Sequence, residues 1–190
     1  MSRWVKKLRV MRRYDQSAKV YDIQYREEQE AKIRTAMGNL TVNEDSIVLD
    51  AGCGTGLLFE YIAEKATAVI GVDISRGILK EAKRKAKKYE NVALIAADLD
   101  NMPFPYQTFD TIFAVTTIQN TPDPAFTINE IGRVSKPNSN ILITGLRKVF
   151  TEEQFSEILK RTNLKVSMVK PDEQMKEFIC VCTQMGSSPL

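Results

Sequence analysis

Residues 50–56 have the arrangement with the clearest chemical meaning: an acid followed by three glycines at alternate positions, Asp50-Ala51-Gly52-Cys53-Gly54-Thr55-Gly56. An apolar run, 47–49, precedes them, and a segment with helical periodicity, 57–65, follows. A glycine turn between a strand and a helix lets the backbone approach a nucleotide-type ligand closely. The spacing differs from the dinucleotide form G-x-G-x-x-G, and no Gly-Lys-Ser/Thr follows as in a P-loop. The segment therefore predicts a nucleotide-like cofactor without a pyrophosphate.

A second acid, Asp73, ends another apolar run, 68–72. It lies about twenty residues after the turn, where the second strand of a nucleotide-binding βαβ unit ends in an acid that accepts hydrogen bonds from ribose hydroxyls. Ser75 follows closely and is a suitable N-cap for a helix that runs to residue 88. The alternative is that Asp73 is a helix-capping acid with no ligand.

The composition excludes several kinds of site. The 190 residues include no histidine, which removes the commonest general base and metal ligand and rules out a Ser-His-Asp hydrolase. Three cysteines, Cys53, Cys180 and Cys182, form neither a disulfide framework nor zinc-ligand spacing, so we predict no metal site. The last two lie two residues apart and should fill the core from one face of a strand.

The length fits one domain with a full core, or one domain with a small lid. No apolar run approaches the length of a membrane span, and the basic N-terminus lacks the apolar region of a secretory signal. These features predict a cytoplasmic protein without a membrane span.

Four segments, in order along the chain, resemble motifs of the class I S-adenosylmethionine (SAM) dependent methyltransferases. The turn 50–56 is similar to D/E-x-G-x-G-x-G, and 71–75 is similar to G-x-D-x-S. Asp98 begins a run that resembles D-x-x-x-L-P-F-x-x-x-x-F-D, with Met102 in place of the leucine. Residues 14–25 resemble Y/F-D-x-x-A-x-x-Y-D-x-x-Y, a segment of small-molecule methyltransferases such as those of ubiquinone and menaquinone biosynthesis. In those relatives the segment folds over bound SAM as a lid.

The resemblance implies SAM as the cofactor and S-adenosylhomocysteine as the product. It also implies which residue holds which part of SAM. Asp50 and the glycine turn would hold the methionine part, and Asp73 would hold the ribose. Asp98 and the Leu99 backbone would hold the adenine. The full set of predicted cofactor-binding residues is Tyr21, Asp50, Ala51, Gly52, Cys53, Gly54, Thr55, Gly56, Asp73, Ile74, Asp98, Leu99 and Val115.

Strand-like runs alternate with helical ones, which predicts an α/β fold with a parallel sheet. The resemblance implies the Rossmann-like class I methyltransferase fold: a seven-stranded, mostly parallel sheet with the last strand antiparallel and helices on both faces. We expect residues 1–40 to form an N-terminal helical lid or cap and 41–190 the SAM-binding domain, together one compact unit. The predicted strands are 47–50, 68–73, 91–96, 111–115, 141–145, 165–169 and 178–182. The predicted helices are 3–13, 27–37, 57–65, 76–88, 125–136 and 150–159.

Two local features supplement this prediction. In the turn 136–139, Asn138 should take the left-handed conformation for which relatives use glycine. Thr151 and Gln154 should form a capping pair at the start of the last helix.

The loop after the fourth predicted strand should face the ligand, because it follows the carboxyl end of a central strand. Gln119 and Asn120 occupy positions where related enzymes often carry histidine, and they are our candidate catalytic residues. Two amides could orient a substrate but could not act as a strong base. The N-P-P-Y motif of base methyltransferases is absent, since the chain reads Ala114-Val115-Thr116-Thr117. Direct methyl displacement needs a base only when the nucleophile is protonated and weakly acidic.

Three interpretations of the function remain open. A small-molecule acceptor is preferred because of the lid-like segment 14–25. An RNA base in rRNA or tRNA is the alternative, supported by basic residues in 3–13 and 76–88 and weakened by the missing N-P-P-Y. The third is a non-catalytic, SAM-binding partner subunit. The sequence does not indicate the oligomeric state.

Overall fold

Seven strands form one sheet in the computed structural model, which describes residues 2–169 and 176–184. The strands are β1 (Ile47–Ala51), β2 (Ala68–Asp73), β3 (Val92–Ala96), β4 (Phe109–Ala114), β5 (Ser135–Leu146), β6 (Leu164–Val169) and β7 (Glu177–Gln184). Their order is β3-β2-β1-β4-β5-β7-β6. Strand β7 is antiparallel to β5 and β6, and the other neighbours pair in parallel. This confirms the predicted fold class and places the topological switch point between β1 and β4.

Within the described residues, five α-helices connect or cover these strands: α1 (Arg3–Asn39), α2 (Phe59–Ile62), α3 (Arg76–Ala86), α4 (Pro124–Val134) and α5 (Glu152–Lys160). Short 3₁₀ turns follow α2 at Ala63–Lys65 and precede α4 at Ile118–Asn120. The caps agree with the sequence. The Ser75 hydroxyl accepts a hydrogen bond from the backbone of Ile78, and Thr151 with Gln154 forms the predicted capping box.

Helix α1 differs from the prediction of separate helices over 3–13 and 27–37. It is one helix of 37 residues, with the tyrosine-rich segment 14–25 in its middle. No proline interrupts it, and its single glycine, Gly38, lies in the last turn, so no residue in its interior favours a break. Conversely, the predicted helix 57–65 is shorter, with only four α-helical residues in α2.

Strand β5 begins at Ser135, earlier than predicted, so the expected turn 136–139 lies within the strand. The register with β4 shifts between Phe109 and Thr111, which accommodates the extra residues as an irregularity. Asn138 has a φ of 61°, and this confirms the predicted left-handed conformation. The segment between the last two predicted strands falls largely on residues 170–175, outside the described residues.

The core has two parts, one on each face of the sheet. Successive residues of β1 point to opposite faces, so Val48 packs with α2 and the C-terminal half of α1, and Leu49 packs with α4 and α5. Cys180 and Cys182 are both buried on the Leu49 face, which confirms their predicted role in the core.

The C-terminal half of α1 is held by apolar packing. Ile33 and Ala36 are buried against the sheet on the face that Val48 shares. Buried apolar surface of this kind is the main stabilising contribution to helix docking.

The N-terminal half of α1 is held mainly by polar contacts through two aspartates that are two helical turns apart. Asp15 accepts hydrogen bonds from the hydroxyl of Ser75 and the backbone of Gly77, at 2.6 and 2.7 Å, and so caps α3. Asp22 accepts one from Lys85 Nζ at 2.6 Å. Because these contacts involve charged groups near the surface, added salt should weaken them.

Replacing Asp22 by Asn should loosen the N-terminal half of α1 without unfolding the domain. Lys85 is 12% exposed and would lose its counter-charge, and a hydrogen bond to a charged group contributes about 1.5–3 kcal/mol. We expect amide hydrogen exchange in residues 10–25 to become at least about tenfold faster. Mass spectrometry after exchange measures this, with the apolar-packed residues 30–39 as the internal reference.

Asp45→Asn is the matched control, because Asp45 is exposed and undergoes the same charge change. Equal exchange rates in the two variants would show that the Asp22–Lys85 pair does not hold α1.

Candidate functional site

A cleft lies at the carboxyl ends of β1, β2, β3 and β4, and the N-terminal half of α1 forms its roof. Including its open mouth, it encloses about 990 Å³ of space. Most of the predicted site residues line it together: Tyr21, Asp50, Gly52, Cys53, Gly54, Thr55, Asp73, Ile74, Asp98, Leu99, Val115 and Asn120.

The glycine turn is shaped by its neighbours. Gly52 has a φ of 81°, and a Cβ at this position would lie 2.5 Å from the Thr117 hydroxyl, so the turn closes only with glycine here. Gly54 also has a positive φ, but a Cβ there would meet no atom within 4 Å. Since Gly54 lines the cleft, its missing side chain leaves space in which a ligand can contact the backbone.

Asp73 ends β2 and holds the glycine turn in place. One carboxylate oxygen accepts a hydrogen bond from Gly54 N at 3.1 Å, and the other accepts one from Ser75 N at 2.9 Å. Burial raises the pKa of Asp73, although these backbone donors oppose the change. Asp73 is therefore both a turn-stabilising residue and a carboxylate at the cleft surface. Its hydrogen bonds join the glycine turn to the start of α3, and its ribose-binding role stays a prediction.

Asp50 is the most unusual residue of the cleft. It is 4% exposed, and its Oδ2 atom has no hydrogen-bond partner. Burial and the nearby charge of Asp73 raise the pKa of Asp50 to about 8. A buried acceptor without a donor is costly, so this position suits a ligand that brings an N–H group or a positive charge. The ammonium group in the methionine part of SAM fits this requirement, and the open face of Gly54 fits close backbone contact.

Asp98 lies after β3 and is paired with a residue that the sequence did not single out. Lys7 of α1 places its Nζ 2.6 Å from Asp98 and 2.5 Å from Asp100. Burial lowers the pKa of Lys7, but hydrogen bonds to Asp100 and Asp98 outweigh this and raise it above its usual value. The other oxygen of Asp98 accepts a hydrogen bond from the backbone of Asp100. An adenine amino group at Asp98 would therefore share an oxygen with either Lys7 or the backbone of Asp100.

The three tyrosines of the predicted lid are placed differently. Tyr14 and Tyr21 both line the cleft, with ring centroids 5.9 Å apart. Burial, followed by the neighbouring tyrosines and acids, raises the pKa of Tyr21, so its hydroxyl stays neutral. Tyr25 is 44% exposed and packs against Tyr21 from outside the cleft.

Three predicted residues do not line the cleft. Ala51 is buried in β1, and its carbonyl accepts a hydrogen bond from the Thr117 hydroxyl. Gly56 lies against the ring of Phe59, so it serves the packing of α2. The side-chain oxygen of Gln119 is buried without a hydrogen-bond partner.

Of the two predicted amides, only Asn120 lines the cleft. Its Nδ2 donates to the hydroxyl of Tyr14 at 3.1 Å, and its Oδ1 accepts from Arg13 at 2.7 Å. The amide is therefore part of a network that joins the loop before α4 to the roof helix.

Sequence reasoning missed several lining residues, among them Lys7, Gln29, Thr116 and Thr117. Lys7 carried a usable signal: it precedes Tyr14 and Tyr21 by seven and fourteen positions, so a continuous helix places all three on one face. Thr116 and Thr117 carried none, because threonine at the end of a strand is common.

Residues 2–169 and 176–184 include neither a membrane-spanning helix nor a cluster of metal ligands. No helix among them is both long and apolar enough to cross a membrane. No group of three or more acidic or cysteine side chains in that part of the chain is arranged to hold a metal ion.

Known proteins with similar sequences are methyltransferases, which agrees with a cleft that can hold SAM. A demethylmenaquinone methyltransferase of Staphylococcus saprophyticus is 33% identical over 112 residues, which cover 57% of this chain and 48% of the relative. A ubiquinone biosynthesis O-methyltransferase of Coxiella burnetii is 28% identical over 136 residues, covering 66% of this chain and 58% of the relative. The chain thus spans about half the length of the curated relatives it matches.

Among solved structures, a putative methyltransferase from Haloferax volcanii, in complex with the methyltransferase activator Trm112, has the same fold. The TM-score is 0.81, with 15% identity, over 91% of this chain and 98% of the other. A family model described as a methyltransferase domain matches residues 49–143, half of the chain, from within β1 to within β5 and including the glycine turn. The chain therefore belongs to this methyltransferase-domain family, and SAM is the cofactor that membership implies.

Proposed function

We propose that this protein is a SAM-dependent methyltransferase that acts on a small molecule. The observation that carries the proposal is the buried Asp50 carboxyl group, which lines the cleft beside the open glycine turn and has one oxygen without a hydrogen-bond partner. A cationic amine is the ligand group that such an atom needs. Family membership and the similarity to quinone-biosynthesis methyltransferases support the same activity.

When bound, SAM supplies an electrophilic methyl group on its sulfonium sulfur. The residues of the chain hold and orient it: Asp50 pairs with the ammonium group, the Gly54 backbone contacts the methionine part, and Asp73 accepts hydrogen bonds from the ribose. Asp98 and Leu99 bind the adenine. Helix α1, with Tyr14 and Tyr21 against the cleft, acts as a lid that excludes water, so that residues 1–40 form the cap of a domain at 41–190.

Contacts made by the basic residues of 3–13 favour a small molecule over RNA. Arg3 pairs with Asp123, Lys6 donates to a backbone carbonyl, Lys7 pairs with Asp98 and Asp100, and Arg13 donates to Asn120. These four side chains make contacts within the protein. Among the described residues, only Arg9 and Arg12 of this run are exposed and make no side-chain hydrogen bond or ion pair.

An RNA acceptor is the second candidate. It is favoured by exposed lysines and arginines in α3 and just after this helix. Arg76, Lys80, Lys83, Arg84, Lys87 and Lys88 are exposed, whereas Lys85 is used in the pair with Asp22. A non-catalytic, SAM-binding partner subunit is the third candidate. We place the protein in the cytoplasm, where both kinds of acceptor occur.

The acceptor class is tested by methyl transfer from labelled SAM into an extract of cells that lack the gene. The extract is divided into RNA, protein and small-molecule fractions. We expect label in the small-molecule fraction, with a rate that changes little with salt. Label in RNA, with a rate that falls steeply as salt is added because counterions are released, would contradict the small-molecule proposal. Intact SAM binding without label in any fraction would favour the non-catalytic role.

Replacing Asp73 by Ala should weaken SAM binding by at least about tenfold, because a carboxylate that accepts hydrogen bonds from the ribose and also fixes the turn is lost. Isothermal titration calorimetry with SAM measures the affinity, and thermal unfolding checks that the variant is folded. Asp45→Ala, at an exposed loop position, is the control. An unchanged affinity in Asp73→Ala would remove the ribose assignment.

SAM binding should strengthen as the pH rises from about 6 to about 8. The pKa of Asp50 is raised to about 8, so its carboxyl is mostly protonated at lower pH in the free protein. The ammonium group pairs with the ionised form, and each unit of lower pH should therefore weaken binding by up to about tenfold. Calorimetry across this range measures the slope.

Asp50→Asn separates the binding role of Asp50 from its effect on stability. The variant should bind SAM weakly and without that slope. It should also unfold at a higher temperature than the parent near pH 8. A raised pKa means that ionising Asp50 destabilises the folded protein as the pH rises from the unfolded-state value of 3.8 towards 8. A variant that keeps the parent's slope would show that another group controls SAM binding.

A further inference from the structure

A buried carboxylate lies next to the cleft on the side away from Asp73 and Asp98. Asp73 and Asp98 follow β2 and β3, on one side of β1, and β4 and β5 lie on the other side. Thr116, just after β4, lines the cleft, and its hydroxyl lies 2.7 Å from Glu177 Oε1 in β7. Glu177 is fully buried. None of the motifs in the sequence includes either residue.

The backbone of Thr116 is strained. Its φ is 56°, in the left-handed region, which β-branched residues rarely adopt. The backbone N of Thr116 donates to the buried hydroxyl of Thr144 at 2.8 Å, and this contact helps to hold the conformation. Such strain persists where the surrounding structure fixes it, and it is concentrated at functional sites. This conformation places the Thr116 side chain between the cleft and the buried Glu177.

The hydrogen-bond geometry determines what Thr116 can offer a ligand. A hydroxyl has one proton and two lone pairs, and the nearest acceptor for the proton is Glu177. The other polar neighbours are farther away, with Gln29 Oε1 at 3.4 Å and Lys32 Nζ at 3.5 Å. With its proton directed to Glu177, the hydroxyl can accept a hydrogen bond from a group in the cleft. The ligand group at this position must therefore be a donor.

Glu177 is placed to receive a proton. Its Oε1 atom is 3.1 Å from Lys32 Nζ, whereas its Oε2 atom is buried and has no partner. Lys32 is shared with Glu28 at 2.9 Å, and Glu28 also pairs with Lys176. Two lysines thus face two glutamates, so the cluster is neutral overall. A proton passed on by Thr116 would arrive at Oε1, the oxygen that its hydroxyl already contacts, and Oε2 stays free of hydrogen bonds.

We propose that Thr116 is the catalytic residue that takes the proton from a hydroxyl acceptor, a phenol or enol, and that Glu177 is the positioning residue that receives the Thr116 proton in turn. This proposal rests on the proposed methyltransferase function and names its acceptor class. The chain has no histidine, and this relay supplies the base that Gln119 and Asn120 cannot provide.

The step balances in atoms and charge. The acceptor oxygen forms the new bond to the methyl carbon, the carbon–sulfur bond breaks, and its electron pair remains on sulfur as a neutral thioether. The acceptor proton moves to Thr116 Oγ1 while the Thr116 proton moves to the Glu177 carboxylate. When the methylated product leaves, the proton returns through Thr116 to water. The net products are a methyl ether, S-adenosylhomocysteine and one proton.

The relay is tested by comparing Thr116→Ala with Thr116→Ser. Both remove the branch that strains the backbone, so both should fold, but only serine keeps the hydroxyl. The reaction contains methyl-labelled SAM and the small-molecule fraction of the extract described above, and the rate is measured in a single turnover. We expect Thr116→Ser to stay within about threefold of the parent and Thr116→Ala to fall by about 100-fold or more, the usual range for loss of acid–base catalysis. Mass spectrometry should locate the label on an oxygen.

Equal rates for the two variants, or label on carbon, would overturn the proposal. SAM affinity, measured by calorimetry, distinguishes failure of the relay from failure of the proposed methyltransferase function. Both variants should bind SAM like the parent, and a parent that binds SAM but labels no fraction would remove the methyltransferase function and this relay together.

Glu177→Gln tests whether Glu177 receives a proton or has only a structural role, because the two roles predict different pH dependence of the rate. Gln keeps the size and the acceptor for the Thr116 hydroxyl but cannot receive a proton. The charged groups around this position are Lys32 and Glu28 of α1 and Lys176 next to β7. The variant should be slow at neutral pH and should recover as the pH rises, because the acceptor then ionises in solution. A uniform loss at every pH would indicate a structural role and contradict the relay.

Discussion

Carboxylates that are buried or half-buried at the carboxyl edge of the parallel strands are the constraint on which the rest of the structure depends. An ionised acid away from water is costly unless donors or cations compensate it. Asp73 is compensated by backbone N–H groups of the glycine turn and α3, and Asp98 by Lys7. Asp50 has one oxygen without compensation, and Asp73 raises its pKa further. The arrangement therefore marks Asp50 as the place where a bound ligand completes the structure.

Helix α1 provides much of this compensation and at the same time covers the cleft. Lys7 and Lys32 reach from α1 to acids of the domain, and Asp15 and Asp22 receive donors from α3 and its N-terminal turn. Apolar packing is confined mainly to its C-terminal half. A cover attached by charges can separate from the sheet without exposing the core, and a ligand that binds beneath it needs such an opening. The Tyr-Asp repeat of 14–25 thus combines ring surfaces for the cleft with carboxylates for attachment.

The sequence predicted the sheet and most of the residues that line the cleft, because both depend on local patterns. Alternating strands and helices define the parallel sheet, and the Asp50 and Asp73 positions follow from strand ends next to glycine or a helix cap. The continuity of α1 was missed because its polar middle has little apolar periodicity, although it contains no helix breaker. Lys7, Thr116 and Glu177 act through contacts between residues 61 to 93 positions apart. Such pairs leave no local pattern, and the strain at Thr116 is visible only in the backbone.

The charges around the cleft also limit which acceptors it can take. Fold alone does not define the chemistry, since related folds carry many functions. Here the side formed by β1 to β3 is lined by Asp50, Asp73 and Asp98, and among the described residues Lys7 is the one basic side chain that lines the cleft. Such a site favours a cationic cofactor and disfavours an anionic acceptor. The opposite side presents the uncharged Thr116, Gln29 and Asn120. A neutral acceptor that loses a proton as it gains a methyl group satisfies both halves of the site, because the positive charge leaves the cleft with the proton.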